Sequence, residues 1–339
     1  MTMSLFSSDK NLAMELVRAT EAAVMASGRW FGRGSKNDVD RSAVEAMRYM
    51  LRGVAMKGVV VIGEGEKDEA PMLFNGEEVG SGEGPDMDIA VDPIDGTRMM
   101  AQGLGGSISV VAAADRGSMF SPQDLFYLNK IVTGPEAAED IDIMAPVKDN
   151  VRRVARAKGK AIEDITVVML DRPRNEKIRD EVRKMGARLR MIPDGDVSGA
   201  LTTCLTGHET ADLLLGSGGS PEAVITACAV KCLGGNMQCS PFFRNDEDEA
   251  KAKARGLSRD TVLTLNDLVK SDNVFFAATG ASDGDLLKGV HYHGDRIETT
   301  SLCMRGISGT VRYISAVHSP RKLSEMGSAI DYSPNRHDR

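Results

Sequence analysis

The sequence predicts an α/β protein, with an α+β N-terminal half and an alternating α/β C-terminal half. In the first half, apolar residues recur at helical spacing over 9–29 and 38–52, and short β-branched runs such as 59–62 follow them. In the second half, strand-like and helix-like segments alternate between 166 and 233 with short loops. Such alternation is typical of a parallel sheet covered by helices.

The elements of the first half follow in order. A helix over 9–29 ends at a glycine-rich loop at 32–37, and a second helix over 38–52 carries Asp40 in its first turn. Strands are expected at 59–62, 88–92, 107–114 and 127–132, forming a mostly antiparallel sheet. The polar, proline-containing segment 134–150 is the expected boundary between an α+β metal-binding domain (1–150) and an α/β substrate-binding domain (151–339).

In the second half, predicted strands and helices alternate more regularly. Strands are expected at 166–170, 188–192 and 212–215, and helices at 176–184, 197–205 and 221–233. A charged helix and loop follow at 243–260. A buried strand at 274–278 precedes a hairpin of 297–304 with 310–316.

Composition excludes several classes of protein. The 339 residues suit one large or two ordinary domains, and 42% apolar with 27% charged residues is typical of a globular chain. A net charge of −7 argues against a nucleic-acid partner. No apolar run reaches membrane-spanning length and charges interrupt the N-terminal segment, so we expect a cytoplasmic protein. The five cysteines form no Cys-x-x-Cys pair, which favours buried, reduced thiols.

One stretch starts as a short apolar run and ends in two carboxylates, Asp92 and Asp95, a glycine and a hydroxyl: Asp88-Ile89-Ala90-Val91-Asp92-Pro93-Ile94-Asp95-Gly96-Thr97. Pro93 cannot donate to a sheet ladder, so the strand is expected to stop there. A second apolar strand, 59–62, runs into the acidic loop of Glu64. For each of these two acidic segments, a solvated turn is the simpler interpretation. Together they predict an oxygen-rich Mg²⁺ or Mn²⁺ site from Glu64, Asp92 and Asp95, with Thr97 orienting a water.

Polar loops follow three strands of the second half. Arg172 and Arg174 offer guanidiniums for a phosphate, and Asp194 and Asp196 offer carboxylates for sugar hydroxyls. A glycine-rich turn at 216–222 precedes a helix, with a proline and Glu222 in its first turn. Ligands of parallel sheets bind beyond the carboxyl ends of the strands, so these loops are expected to share one edge.

Several motifs closely resemble a known family. Asp-Pro-Ile-Asp-Gly-Thr resembles the signature of the metal-dependent, lithium-sensitive sugar and inositol phosphatases. The remaining motifs are similar to class II bacterial fructose-1,6-bisphosphatases over about 11–318: Trp30-x-Gly-Arg-Gly-x-Lys-Asn, Val61-Ile-Gly-Glu-Gly-Glu-x-Asp-Glu-Ala-Pro-Met72, Asp171-Arg-Pro-Arg174, Pro193-Asp-Gly-Asp-Val197 and Gly218-Gly-Ser-Pro-Glu222.

The resemblance implies a layered alternating α/β sandwich of the sugar phosphatase type, with the active site between two domains. It implies two or three Mg²⁺ or Mn²⁺ ions per site held by Asp40, Glu64, Asp92, Asp95 and Glu222. The substrate-binding residues that it implies are Asp95, Gly96, Thr97, Tyr127, Arg172, Pro173, Arg174, Asp194, Gly195, Asp196 and Gly219. Two positions depart from the family pattern: Asp95 replaces a frequent Glu, and Asn175 replaces a frequent His.

The implied activity is metal-dependent hydrolysis of the C1 phosphate of fructose 1,6-bisphosphate, a step of gluconeogenesis, by a homodimer or homotetramer. We expect Thr97 to orient the attacking water together with Asp68, which is favoured over Asp40 because it is not needed as a metal ligand. Three alternatives remain: dual action on sedoheptulose 1,7-bisphosphate, an inositol monophosphatase-like activity, and a metal-binding protein without catalysis.

Overall fold

A computed structural model describes residues 12–65, 72–123, 125–207, 209–325, 330 and 332. It confirms the α/β class, with helices packed on two mixed sheets. The chain divides into two compact units, 1–117 with 273–339 and 118–272. The expected boundary at 134–150 falls inside the second unit. The segment 134–150 lies inside the second unit because β5, which precedes it, pairs with strands of that unit, and residues from 273 on return to the sheet of the first unit.

The helices in chain order are α1 (Leu12–Ser27), α2 (Lys36–Leu51), α3 (Thr97–Ala101), α4 (Val147–Ala157), α5 (Glu176–Lys184), α6 (Asp196–Leu201), α7 (Ser220–Leu233), α8 (Asp246–Ala254), α9 (Leu265–Leu268) and α10 (Pro320–Glu325). The strands are β1 (Lys57–Ile62), β2 (Glu78–Val79), β3 (Asp86–Asp95), β4 (Ile108–Asp115), β5 (Tyr127–Thr133), β6 (Thr166–Leu170), β7 (Arg188–Ile192), β8 (Leu213–Gly219), β9 (Asn236–Phe242), β10 (Leu263–Thr264), β11 (Phe275–Gly280), β12 (His291–His293), β13 (Arg296–Arg305) and β14 (Thr310–His318). Short 3₁₀ helices lie at Gly28–Trp30, Pro135–Ala137, Ile162–Asp164 and Pro173–Asn175.

The sheet of the first unit has the order β12-β13-β11-β4-β3-β1-β2, with β14 paired to β13. Among the described strands of this sheet only β1 and β3 pair in parallel, so the expectation of a mostly antiparallel sheet is confirmed. Helices α1 and α2 contribute to its core, where Leu16, Met47, Ile89 and Phe275 are fully buried. Helix α2 begins two residues earlier than expected, because Ser35 caps it by accepting a hydrogen bond from the Asp38 amide. Asp40 therefore lies beyond the first turn.

The prediction that β3 stops at Pro93 is wrong. The strand continues to Asp95, and its register with β4 shifts between Asp92 and Asp95. Proline lacks the amide proton that a regular ladder requires, and bulges are among the places where a sheet accepts it. Because of this irregularity, β3 includes both Asp92 and Asp95 and does not end at Asp92.

The sheet of the second unit has the order β10-β9-β5-β8-β6-β7. The expected parallel pairing is confirmed for β6 with β7 and β8, whereas β5 and β9 pair antiparallel. Strand β8 reaches Gly219, so residues 216–219 belong to a strand and not to the predicted turn. Helix α6 ends at Leu201, earlier than expected. On one face the core contains Ile131, Val154 and Leu213.

Two further expectations concern the whole chain. The five cysteines are buried and free of disulfides, as expected. In the described part of the chain, no helix is both long enough and apolar enough to cross a membrane.

A buried polar group joins α1 to β13 and β14. Thr299 donates to Glu21 Oε1 at 3.3 Å, and its hydroxyl oxygen lies 2.8 Å from His318 Nε2. His318 Nε2 is 3.8 Å from the same Glu21 oxygen. Burial raises the pKa of Glu21 to about 7, and burial lowers the pKa of His318. The packing of α1 on the sheet is therefore linked to protonation.

Glu21→Gln is expected to weaken the pH dependence of stability. Between the ordinary pKa of 4.5 and about 7, the unfolded chain loses the Glu21 proton while the folded chain keeps it. The free energy of unfolding therefore falls as the pH rises through this interval. The variant lacks this loss and should exceed the parent in stability near pH 8 by about 1–2 kcal/mol. Urea denaturation near pH 5 and pH 8 measures the difference.

Glu15→Gln is the matched control, since Glu15 is a half-exposed acid on the same helix that pairs with Arg18. It should keep the fall in stability that Glu21 causes. His318, whose contribution has the opposite sign, is present in all three proteins. A Glu21→Gln variant with the parent's pH dependence would contradict the assignment.

Candidate active site

In the first unit, two predicted acidic segments meet at one edge of the sheet. Strands β1 and β3 run parallel with Val60 opposite Ile89, so their carboxyl ends lie side by side. Glu64 follows β1 and is exposed, whereas Asp95 at the end of β3 is buried. The predicted convergence of these two segments is therefore seen in the structure.

The turn after β3 places the Thr97 hydroxyl. Gly96 has a φ of 90°, a conformation that favours glycine, and a Cβ there would lie 2.7 Å from Met99 Cε. The Ser107 hydroxyl donates to the Gly96 carbonyl at 3.0 Å, and Thr97 Oγ1 donates to the Ile94 carbonyl at 2.9 Å. The glycine and these bonds fix the start of α3.

Thr97 also contacts one of its two predicted carboxylate partners. Burial raises the pKa of Asp40, while a hydrogen bond from Thr97 and the charge of Lys36 act in the opposite direction. The threonine hydroxyl has one proton, so Asp40 and the Ile94 carbonyl compete for it. The favoured partner, Asp68, lies outside the described residues.

The metal ligand set stays a prediction. Among the residues that the structure describes, no three His, Cys, Asp or Glu side chains lie together as a group that could hold an ion. The donor set nevertheless consists of carboxylates, the ligands that Mg²⁺ and Mn²⁺ prefer. Glu222 adds a direct observation, because its Oε2 is buried without a hydrogen-bond partner.

The second unit brings its predicted loops to one edge of its sheet. Strands β6, β7 and β8 are parallel, with Leu170 opposite Ile192 and Val168 opposite Leu214. The loops after them therefore share that edge. Tyr127 joins them because β5 runs antiparallel to β8 and begins opposite Gly219.

The two arginines of the first loop have different surroundings. Arg172 donates to the Pro193 carbonyl at 2.5 Å and pairs with Asp194 at 3.2 Å, which joins the loops after β6 and β7. Arg174 donates through Nε to the Ser217 carbonyl at 3.0 Å, and its guanidinium lies 4.3 Å from the centre of the Tyr127 ring. Burial lowers the pKa of Arg174. Both cations are held in place by contacts within the protein.

A buried charged cluster lies beside these loops. Lys130 Nζ is 2.5 Å from Asp196 Oδ2, and both residues are buried. Burial raises the pKa of Glu222, Asp196 raises it further, and Lys130 opposes the shift. A Cβ on Gly219 would overlap the Glu222 carboxylate, so glycine at this position leaves room for it. Sequence analysis missed Lys130, although one lysine among the apolar residues of β5 was an available signal.

Asn175, the residue that departs from the family pattern, ties β6 to β8. Its Oδ1 accepts from the Ser217 amide at 2.7 Å, and its Nδ2 donates to the Leu170 carbonyl at 3.0 Å. It is fully buried. The Ser217 carbonyl accepts a hydrogen bond from Arg174, so Asn175 stabilises the position of Arg174 through Ser217.

Carboxylates at the sheet edge of the first unit, and arginines and carboxylates at the sheet edge of the second, are each typical of enzymes that act on phosphorylated sugars. A model of bacterial fructose-1,6-bisphosphatases, glpX-encoded, matches residues 10–318. Class 2 fructose-1,6-bisphosphatases of Escherichia coli K12, Escherichia coli O6:H1 and Shigella flexneri are each 43% identical over 331 residues, covering 94% of this chain and 98% of theirs. The chain belongs to the glpX-encoded bacterial fructose-1,6-bisphosphatase family. A solved extragenic suppressor from Pyrococcus furiosus is more distant, with 14% identity and a TM-score of 0.28 over 57% of this chain and 68% of its own.

Asn175→Ala should lower both stability and substrate affinity. It removes a buried amide with contacts to Leu170 and Ser217, at a cost of about 2–4 kcal/mol. The shifted Ser217 carbonyl would release Arg174, so KM should rise several-fold. Asn175→Asp keeps the acceptor for the Ser217 amide but sets a buried carboxylate against the Leu170 carbonyl, so it should also lower stability. Denaturation curves and steady-state kinetics test both, and an unchanged KM in Asn175→Ala would disprove the link to Arg174.

Proposed function

We propose that this chain removes the C1 phosphate of fructose 1,6-bisphosphate and releases fructose 6-phosphate and phosphate. Membership of the family makes it a phosphoric monoester hydrolase that acts on fructose 1,6-bisphosphate. The choice of phosphate, the metal and the residue roles belong to the proposal. So do its place in gluconeogenesis, a cytoplasmic location and assembly as a homodimer or homotetramer.

The observation that carries the proposal is the edge of the second sheet. A sugar bisphosphate presents one phosphate that reacts, a second that does not, and hydroxyls between them. Arg172 and Arg174 supply positive charge for the unreactive phosphate, and Arg174 is already fixed by Ser217 and Tyr127. Asp194 and Asp196 lie at the same edge, and in the proposal they accept hydrogen bonds from sugar hydroxyls. A simple phosphomonoester would leave these groups unused.

The carboxylates of the proposed metal site are Asp40, Glu64, Asp92, Asp95 and Glu222, and their oxygen donors suit two or three Mg²⁺ or Mn²⁺ ions. The buried, unpartnered Oε2 of Glu222 supports such a role, since an orphaned buried carboxylate oxygen is costly. When bound, the ions would offset the charge of the phosphate and lower the pKa of a water.

Residues of the chain orient the attacking water and accept its proton. In the proposed step, a water oxygen attacks phosphorus in line, the bond from phosphorus to the C1 oxygen breaks, and the C1 oxygen takes a proton from solvent. The Thr97 hydroxyl orients the water and passes its proton to a carboxylate. Its hydrogen bond to Asp40 makes Asp40 one candidate acceptor, and Asp68, which the proposed metal site does not need as a ligand, stays the favoured one.

Phosphate release by the purified protein with Mn²⁺ or Mg²⁺ tests the proposal. The substrates are fructose 1,6-bisphosphate, sedoheptulose 1,7-bisphosphate and inositol 1-phosphate. Fructose 1,6-bisphosphate should lead in kcat/KM by about tenfold or more, equal to about 1.4 kcal/mol in the transition state. Chelation should abolish release, and added metal should restore it. A lead for inositol 1-phosphate would overturn the role of the arginine loop, and no turnover with either metal would support a non-catalytic metal-binding protein.

Thr97→Val should reduce kcat by about 100-fold or more with little change in KM, because it removes the hydroxyl that orients the water. Thr97→Ser keeps the hydroxyl and should retain most of the activity. The valine variant also loses the bond to the Ile94 carbonyl, so thermal unfolding must be measured alongside the kinetics. Equal kcat values for the valine and serine variants at matched stability would contradict the assignment.

A further inference from the structure

Lys130 has an unusual location for a lysine. It lies on β5, which pairs with both β8 and β9, and it is 3% exposed. Its neighbour Ile131 belongs to the apolar core on one face of the sheet. Because side chains alternate along a strand, Lys130 points to the opposite face. An apolar residue would be the usual choice at such a position.

The partner of Lys130 is a residue of the proposed substrate site. Nζ lies 2.5 Å from Oδ2 of Asp196, the first residue of α6. Placing two opposite charges in the interior costs several kcal/mol of desolvation, and an apolar pair of similar volume is often equally stable. Stability alone therefore does not account for this pair.

The surroundings of the pair are adapted to it. A Cβ on Gly218 would overlap the Asp196 carboxylate and lie 2.9 Å from Lys130 Nζ. Glycine in β8 thus leaves the space that the ion pair fills. Glu222 lies close enough to interact with both charges, so Lys130 also offsets the repulsion between two neighbouring carboxylates.

We propose that Lys130 is a positioning residue for the substrate, which fixes the Asp196 carboxylate through Oδ2 and leaves Oδ1 to accept a hydrogen bond from a sugar hydroxyl. The inference rests on the proposed function, and it adds a residue that does not itself touch the substrate. Without the ammonium, Asp196 is free to change rotamer and is repelled by Glu222. Binding of the sugar then weakens, while the chemistry at the phosphate is affected less.

Lys130→Met tests this proposal with fructose 1,6-bisphosphate as the substrate. KM should rise about tenfold or more and kcat should fall by less than about threefold, since the lost contact serves binding. Lys130→Arg retains the charge and should recover part of the affinity. Lys231→Met is the matched control, because Lys231 is a largely buried lysine of the same unit that bonds the Val269 carbonyl. It should leave KM unchanged even where it lowers stability.

The double variant Lys130→Met with Asp196→Asn keeps the test decisive if the single variant leaves a buried charge and fails to fold. The two residues act together in the proposal, so the double variant should have about the same KM as Asp196→Asn alone. The proposal would be overturned if the increases in KM of the two single variants multiplied in the double variant. An unchanged KM in Lys130→Met would also overturn it. Failure of the parent to hydrolyse fructose 1,6-bisphosphate would instead overturn the proposed function, so the two failures are distinguishable.

Discussion

The direction in which a few central strands pair is the constraint on which the functional loops depend. Parallel strands place the loops that follow them at one edge of a sheet. In the described part of the first unit this holds for β1 and β3, and it brings the Glu64 segment beside the end of β3. In the second unit it holds for β6, β7 and β8, and it gathers arginines and carboxylates. The surrounding antiparallel strands complete the sheets.

Close packing of polar groups is the second constraint, and glycines make it possible. Gly218 and Gly219 in β8 leave the volume that the carboxylates of Asp196 and Glu222 occupy. The chain therefore carries several glycines inside a strand, where they lower intrinsic stability. Their positions are explained by what approaches them and not by a turn. Gly96 is different, because a turn requires it: its left-handed backbone starts α3 at Thr97.

Local pattern predicted most elements because it reports which face of each segment is buried. The bounds of α5 and β7 match the prediction, and the hairpin of β13 and β14 was expected. The errors occur where a distant contact overrides the local signal. Pro93 lies at an irregularity in the pairing of β3 with β4 and does not end the strand. The glycines of 216–219 lie in β8, since β5 pairs along its whole length.

The sequence by itself determined the α/β class, the family and the identity of the loops that carry charge, because these depend on residue types at fixed spacing. Only the tertiary structure decided that 273–325 returns to the first unit, that Asn175 supports Arg174 through Ser217, and that Lys130 pairs with Asp196. The physical reason is that these contacts join segments far apart along the chain. A buried lysine and a buried asparagine acquire their roles from partners that no local pattern specifies.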